Sequence, residues 1–197
     1  MQLVNKREES AALTRQLLVD EAARLFSRQG VAKTSLSEIV ANVGATKGAL
    51  YHHFSNKVEL FASCYEQQAA RVAAVVRSAP SSDDPWLDIL AQCRTFLGCA
   101  SMPELKAVPI QEAITILGWQ RWRALDSAHT MGALEQSLER LHDAGRLGHF
   151  DRALLADSIF AMMVNAMMAL SVSSDRVATE AELMRQLEAF LSGVLSR

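Results

Sequence analysis

Apolar residues recur along this chain at helical spacing, and few β-branched runs interrupt them. A first stripe of Leu17, Leu18, Ala22, Leu25 and Phe26 predicts a helix over about 11–29, which Gly30 stops. Ser35 is placed to cap a short helix over 36–43, and Glu38, three residues on, completes a capping box. Val43, Gly44 and Ala45 then read as a tight turn, after which Thr46 caps a second short helix ending near Phe54. Ser55 or Asn56 starts a long helix over about 57–78, striped by Leu60, Phe61, Cys64, Tyr65, Val72, Val75 and Val76.

Segment 79–85 is rich in Pro, Ser and Asp and reads as a loop. Beyond it the pattern predicts helices near 85–99, 103–117 and 119–144, the last broken around 127–130. A gap at 145–150 precedes two final helices, at about 151–172 and 179–195. The count is about nine helices, an all-α fold. Composition agrees: 197 residues are 50% hydrophobic with only four prolines and nine glycines, enough for one large or two small cores.

Charge divides the chain. Residues 1–57 carry a net +3 and residues 58–197 a net −5, which together give the overall −2. A basic head on an acidic body suggests that one region faces nucleic acid and the other avoids it. The first ten residues hold no apolar core of the secretory kind, and the uncharged run between Asp157 and Asp175 is short and polar for a bilayer. A cytoplasmic protein without membrane partners is expected. Cys64, Cys93 and Cys99 are odd in number and scattered, which argues against a disulfide framework. They read as small buried residues, with redox or electrophile sensing as the alternative.

The chemistry concentrates between Leu36 and Phe54. A short helix, a turn containing Gly and a second short helix form a helix-turn-helix signature at about 35–54. Leu36, Ile39, Val40, Val43, Ala49, Leu50 and Phe54 fit its inner side. Thr46, Lys47, Tyr51 and His52 remain outward, all able to hydrogen-bond to phosphates or base edges. Gly48 would let the backbone come close to a duplex. Adjacent His52 and His53 point about 100° apart on a helix with no third ligand near, which argues against metal. No nucleophile–base set or phosphate loop supports an enzyme or a carrier, so no catalytic residue, metal or cofactor is assigned.

The run from Gly30 through Thr34, Ser35, Leu36, Glu38 and Ile39, then Val43 to Phe54, Asn56, Lys57 and Leu60, resembles the N-terminal pattern of the TetR family of transcriptional regulators. The resemblance covers about residues 11–65. Val31, Val40 and Ala45 depart from the usual pattern, apolar for apolar. It implies a three-helix DNA-binding domain over 1–57 and an effector-binding and dimerisation domain over 58–197. It also implies that Thr34 or Ser35, with the start of the short helix, and Lys57 meet phosphate while Lys47, Tyr51 and His52 face the groove; with the outward Thr46 and the bare backbone of Gly48 these make up the expected DNA-binding set. The start of the long helix would add an anion site beside Lys57. Residues 103–150, through Ile116 to Trp119, Trp122, Arg123, Ala144, Gly145 and Leu147, resemble less specifically the C-terminal domain of one subgroup of that family.

Such a protein would be a homodimeric repressor on an inverted-repeat operator in double-stranded DNA, released by an apolar small-molecule effector. A regulator without an effector, governed by partners or oxidation, is the competing reading. Candidates for the effector pocket are Phe61, Tyr65, Phe96, Glu112, Trp119, Trp122 and Met163. The two tryptophans either line a pocket or fill the core, and Glu112 is either a buried polar anchor or exposed. Candidates for the dimer interface are Met162, Met167, Leu183, Leu187, Phe190, Leu191 and Val194, on two terminal helices apolar enough to pair across a two-fold axis. The long helix that begins at Lys57 is the expected lever between effector and DNA.

Overall fold

The computed structural model describes residues 2–102, 105 and 108–195, with side chains from residue 8 onward. Its helices are α1 (Gln2–Gln29), α2 (Leu36–Asn42), α3 (Lys47–His53), α4 (Lys57–Arg77), α5 (Pro85–Cys99), α6 (Ile110–Leu117), α7 (Trp119–Asp143), α8 (Arg152–Val172) and α9 (Arg176–Ser192). Among the described residues the all-α reading holds, with one isolated antiparallel bridge between Leu147 and Leu195.

Several boundaries differ from the sequence pattern for local reasons. Helix α7 runs unbroken through 127–130, because the Ser127 hydroxyl donates to the Ala124 carbonyl and Thr130 to Asp126, folding both polar groups back onto the preceding turn. Helix α6 starts only after Pro109; residues 103, 104, 106 and 107, where its start was expected, lie outside the described residues. Helix α9 begins early because the Asp175 carboxylate accepts from the Ala178 amide at 3.0 Å. Gly118, at φ +77°, makes the corner between α6 and α7 that a side chain would strain.

The chain forms two compact units. One comprises Met1–Gln68 and Lys106–Trp122, the other Ala69–Leu105 and Arg123–Arg197. The helix-turn-helix unit is therefore larger than residues 1–57. It takes the first half of α4, because Leu60, Phe61, Cys64 and Tyr65 are buried, with the Phe26 and Phe61 rings 5.7 Å apart. It also takes α6 and the start of α7. The Gln68 amide both donates to the Val108 carbonyl and accepts from its N–H, each at 2.8 Å. Arg121 grips Glu59 with two bonds of 2.8 and 2.6 Å, and Trp122 is fully buried beside Tyr65.

In the second unit α5, α8 and α9 bury Ile89, Leu97, Ile159, Leu170, Leu187 and Leu191. At 21 residues α8 is longer than the uncharged run suggested and apolar enough to cross a membrane by length and composition. Nearly half of its central window is instead buried inside the protein, as a core helix would be. Asp88 staples the loop after α4: its carboxylate accepts from the Ser82 N–H at 2.7 Å and from Arg140 at 2.5 Å. Burial alone would raise its pKa, but those two donors outweigh it and hold the carboxyl below the usual range.

The three cysteines are free and buried. Burial pushes the Cys64 and Cys93 thiols up to about 12 and Cys99 to about 11. An oxidant at neutral pH meets almost no thiolate, which weighs against the redox-sensing alternative.

Two measurements check these statements. Asp88→Ala should lower unfolding free energy in urea by about 2–3 kcal/mol, the loss expected for charge-assisted bonds of a buried carboxylate. Because the folded-state pKa is depressed, that contribution is present above the ordinary carboxylate pKa and lost as pH falls, so the gap to the parent should close below about pH 4. Second, a disulfide reagent at pH 8 should leave all three thiols unreacted in the folded protein and label all three in urea. Rapid labelling of any one in the folded state would reinstate a thiol sensor.

Candidate nucleic-acid interface

The two short helices are fixed at both ends. The Ser35 hydroxyl accepts from the Glu38 amide and the Thr46 hydroxyl from the Ala49 amide, each at 3.1 Å. The capping box is only half made, since the Glu38 carboxylate accepts from the Gln29 side chain at 2.9 Å. Gly44, at φ +69°, turns the chain between them, and the Ala45 N–H donates to the Val40 carbonyl at 2.9 Å. On the inner side Ile39, Val40, Leu50 and Phe54 are buried. The Arg15 guanidinium sits 5.1 Å over the Phe54 ring and donates to Ser63, tying α1 to the end of α3.

This anchoring leaves Thr46, Lys47, Gly48, Tyr51 and His52 exposed on one short segment, with Tyr51 at 56%. They are the four residues expected to point outward and the glycine expected to bare the backbone. A Cβ at Gly48 would meet only the Thr46 hydroxyl, at an ordinary 3.7 Å, so nothing inside the protein requires glycine there. The pKa of His53, half-buried, is lowered by burial first and then by the neighbouring charges of His52 and Arg15. Among the described residues no three His, Cys, Asp or Glu gather as metal ligands.

The structure gives two of the expected phosphate contacts roles inside the protein as well. Thr34 is 1% exposed; its hydroxyl donates to the Gly30 carbonyl at 2.9 Å and accepts from Gln29 at 3.3 Å. Its side chain builds the loop, while the neighbouring Ser35 is exposed. Lys57 is half-buried and its ammonium donates to the Thr34 carbonyl at 2.6 Å. The α4 start is not an open anion site either, because the Asn56 side chain accepts from the Val58 and Glu59 amides at 2.8 and 3.0 Å. Lys57 therefore holds the loop that presents Ser35. Lys33, exposed just ahead of that loop, is a cation the motif reading missed; its only signal is charge beside a helix cap.

The pocket candidates do not gather in one place. Phe61, Tyr65 and Trp122 are buried in the first unit, and Trp119 is 54% exposed with its ring 5.1 Å from Trp122. The Glu112 carboxylate accepts from the Val31 N–H at 3.3 Å, which makes it a link to the loop after α1. Phe96 and Met163 line a narrow apolar cavity in the second unit, with Val76, Cys93, Met131 and Phe160 among their neighbours.

The dimer candidates divide too. Leu187 and Leu191 are buried in this chain's own core, and Met162, Met167, Leu183 and Val194 are half-buried. Phe190 is 69% exposed. Leu154, Val172 and Val177, between 66% and 82% exposed, are further apolar residues on α8 and α9 that the stripe alone did not single out.

Comparison with known proteins covers most of the chain. Residues 18–64 match the family described as bacterial regulatory proteins, tetR family, and residues 86–194 the one described as tetracyclin repressor-like, C-terminal domain. The chain is similar to the transposon Tn10 TetC protein of Escherichia coli, 28% identical over 155 residues and 79% of each chain. It is 43% identical over 70 residues to the HTH-type transcriptional regulator AcrR of Shigella flexneri, covering 36% of this chain and 33% of that one. A crystal structure of a TetR-family transcriptional regulator from Pectobacterium atrosepticum superposes with a TM-score of 0.75 at 27% identity, covering 96% and 97%.

Gly48→Ala separates fold from contact. The folded protein should gain roughly 0.5–1 kcal/mol, since alanine suits a helix better than glycine. Affinity for duplex DNA should fall about ten-fold, roughly 1.4 kcal/mol, if the backbone there lies against DNA. A gel shift that shows unchanged affinity would remove the close approach.

Proposed function

The chain belongs to the TetR family of bacterial transcriptional regulators, and from that premise we propose that it is a homodimeric repressor released from its operator by a small apolar effector. The observation that carries this is the outward face of α3: Lys47, Tyr51 and His52 around a glycine that the protein's own packing does not need. Charged and hydroxyl donors fixed on a rigid short helix suit the acceptor-rich major groove, and Ser35 with Lys33 sits where phosphates would flank it.

One recognition helix per chain calls for a second copy. Leu154, Val172, Val177 and Phe190 are large apolar side chains left exposed on α8 and α9, and a two-fold partner would cover those on the face it packs against. Two heads on one face of the duplex must lie about 34–36 Å apart, or one further turn, so the operator would be an inverted repeat. A cytoplasmic location follows from that substrate.

The effector reading rests on the cavity of the second unit. Helix α7 supplies Thr130, Met131 and Leu134 to it, while its first turn, through Trp122, belongs to the first unit. Helix α4 likewise carries residues of both units. An effector that displaced either helix would change the spacing of the two heads. A coupling of ~1–3 kcal/mol would weaken operator binding about 5–150-fold, provided the effector prefers the displaced state.

Gel shifts on DNA beside the gene, across a salt series, test the reading. Binding should fall steeply with salt, and Lys47→Ala should flatten the log–log slope by about one. Footprints should be symmetric, and light scattering should give a dimer at micromolar concentration. An asymmetric footprint with a monomer in solution would sink the dimeric repressor.

A further inference from the structure

The cavity between α4, α5, α7 and α8 in the second unit has a definite chemistry. Its described lining is Val76, Gln92, Cys93, Phe96, Thr130, Met131, Leu134, Ile159, Phe160 and Met163, with room of about 40 Å³. That lining holds no carboxylate, amine or guanidinium. The Cys93 thiol is protonated at neutral pH, and the Thr130 hydroxyl has its proton engaged on the Asp126 carbonyl at 2.9 Å, so it has no donor for a guest. A charged guest would enter without a counter-ion. Gln92 is the exception on an apolar wall. Its amide nitrogen donates to Ser137 at 2.9 Å, while its side-chain oxygen is buried with no hydrogen-bond partner. A buried acceptor left unmade is costly, so a guest that donates to it gains what the empty protein forgoes.

Shape narrows the class further. Phe96 and Phe160 present rings, and Met131 and Met163 present thioethers, surfaces that favour an aromatic guest. The space is small beside a typical ligand site, but methionine side chains repack easily and a one- or two-ring molecule asks the least of them. Val76 and Gln92 also line an adjoining hollow of about 440 Å³ beside Asp88, Ser137 and Arg140.

We propose that this cavity selects a neutral, flat, largely apolar molecule with one hydrogen-bond donor, received by the side-chain oxygen of Gln92. The inference rests on the reading that this cavity is the effector site.

Three isosteric probes test it on the full chain without DNA. Indole, indene and benzofuran share one shape and present an N–H, a CH₂ and an ether oxygen respectively. Calorimetry should show indole binding about ten-fold tighter than either of the others. Gln92→Leu, which removes the unpaired acceptor and keeps the bulk, should bring the three to parity. Met163→Trp, which fills the space, should abolish all three. If Gln92→Leu does not fold, Gln92→Asn, which withdraws the amide by one carbon, should cut the preference instead. Benzofuran equal to indole, an indole preference that survives in Gln92→Leu, or no binding by any probe would each overturn the proposal. Operator affinity is measured separately. Selective indole binding that leaves DNA affinity untouched would sink the effector reading alone, and selective binding by a chain that never binds DNA would sink the repressor reading alone.

Discussion

A helix of seven residues has almost no stability of its own, so the placement of α3 depends on what holds its inner side. Leu50 is fully buried and Phe54 nearly so, both in the core that α1 builds from Leu18, Ala22 and Phe26. Those contacts fix the rotation of α3, and the rotation decides that Lys47, Tyr51 and His52 point outward together. Thr46 fixes where the helix begins, and Arg15 over Phe54 fixes where it ends. The loop ahead of α2 is set by the same logic with polar groups. Thr34 is enclosed, its carbonyl receives the Lys57 ammonium, and Ser35 is thereby presented to solvent. The face proposed to meet DNA is the remainder left after packing has taken its share.

The first unit extends beyond the three helices because polar side chains reach back to it across long stretches of sequence. Gln68 treats Val108 as a neighbouring strand would, Glu112 closes on the Val31 N–H, and Arg121 grips Glu59 with both nitrogens. The Arg121–Glu59 pair is substantially exposed, so its worth in stability is small. Its geometric effect is larger, since a bidentate pair fixes orientation as well as distance. With Trp122 buried beside Tyr65, the segment 108–122 is held to α4 at several points within this unit.

What the sequence made legible was local. Ser35 and Thr46 announce caps within three residues of their partners, Gly44 announces a turn, and the stripe through Leu60 and Tyr65 announces α4. What it concealed was pairing at a distance. Nothing local to Lys57 announces that its ammonium donates to the Thr34 carbonyl, 23 residues back. Thr34 and Ser35 are chemically alike, and only the enclosure of one separates them. In α9 the periodicity marks Leu187, Phe190 and Leu191 as one stripe, yet two of them face this chain's own core and the third faces out. A heptad-like pattern states that a face is apolar and not which neighbour covers it. The expected break in α7 failed for a related reason: hydroxyls that often end helices can also return a bond to the preceding turn.

The two units answer opposite demands. In the first, fully buried aromatic and aliphatic side chains, capped short helices and cross-linked polar pairs leave a recognition surface with little freedom, and a fixed surface is what a groove of fixed width rewards. In the second, flexible thioethers line a cavity with one unmatched acceptor, and apolar residues on α8 and α9 stand in solvent. Each of those features stores free energy that a guest or a second copy would release. A ligand can shift an equilibrium only by its differential affinity for two states, so a regulator needs one part that can be improved by binding and another that cannot change without losing its target. That distribution of satisfied and unsatisfied groups, a closed head and an incompletely satisfied body, is the physical form that the proposed control of a DNA-binding protein by a ligand would take in this chain.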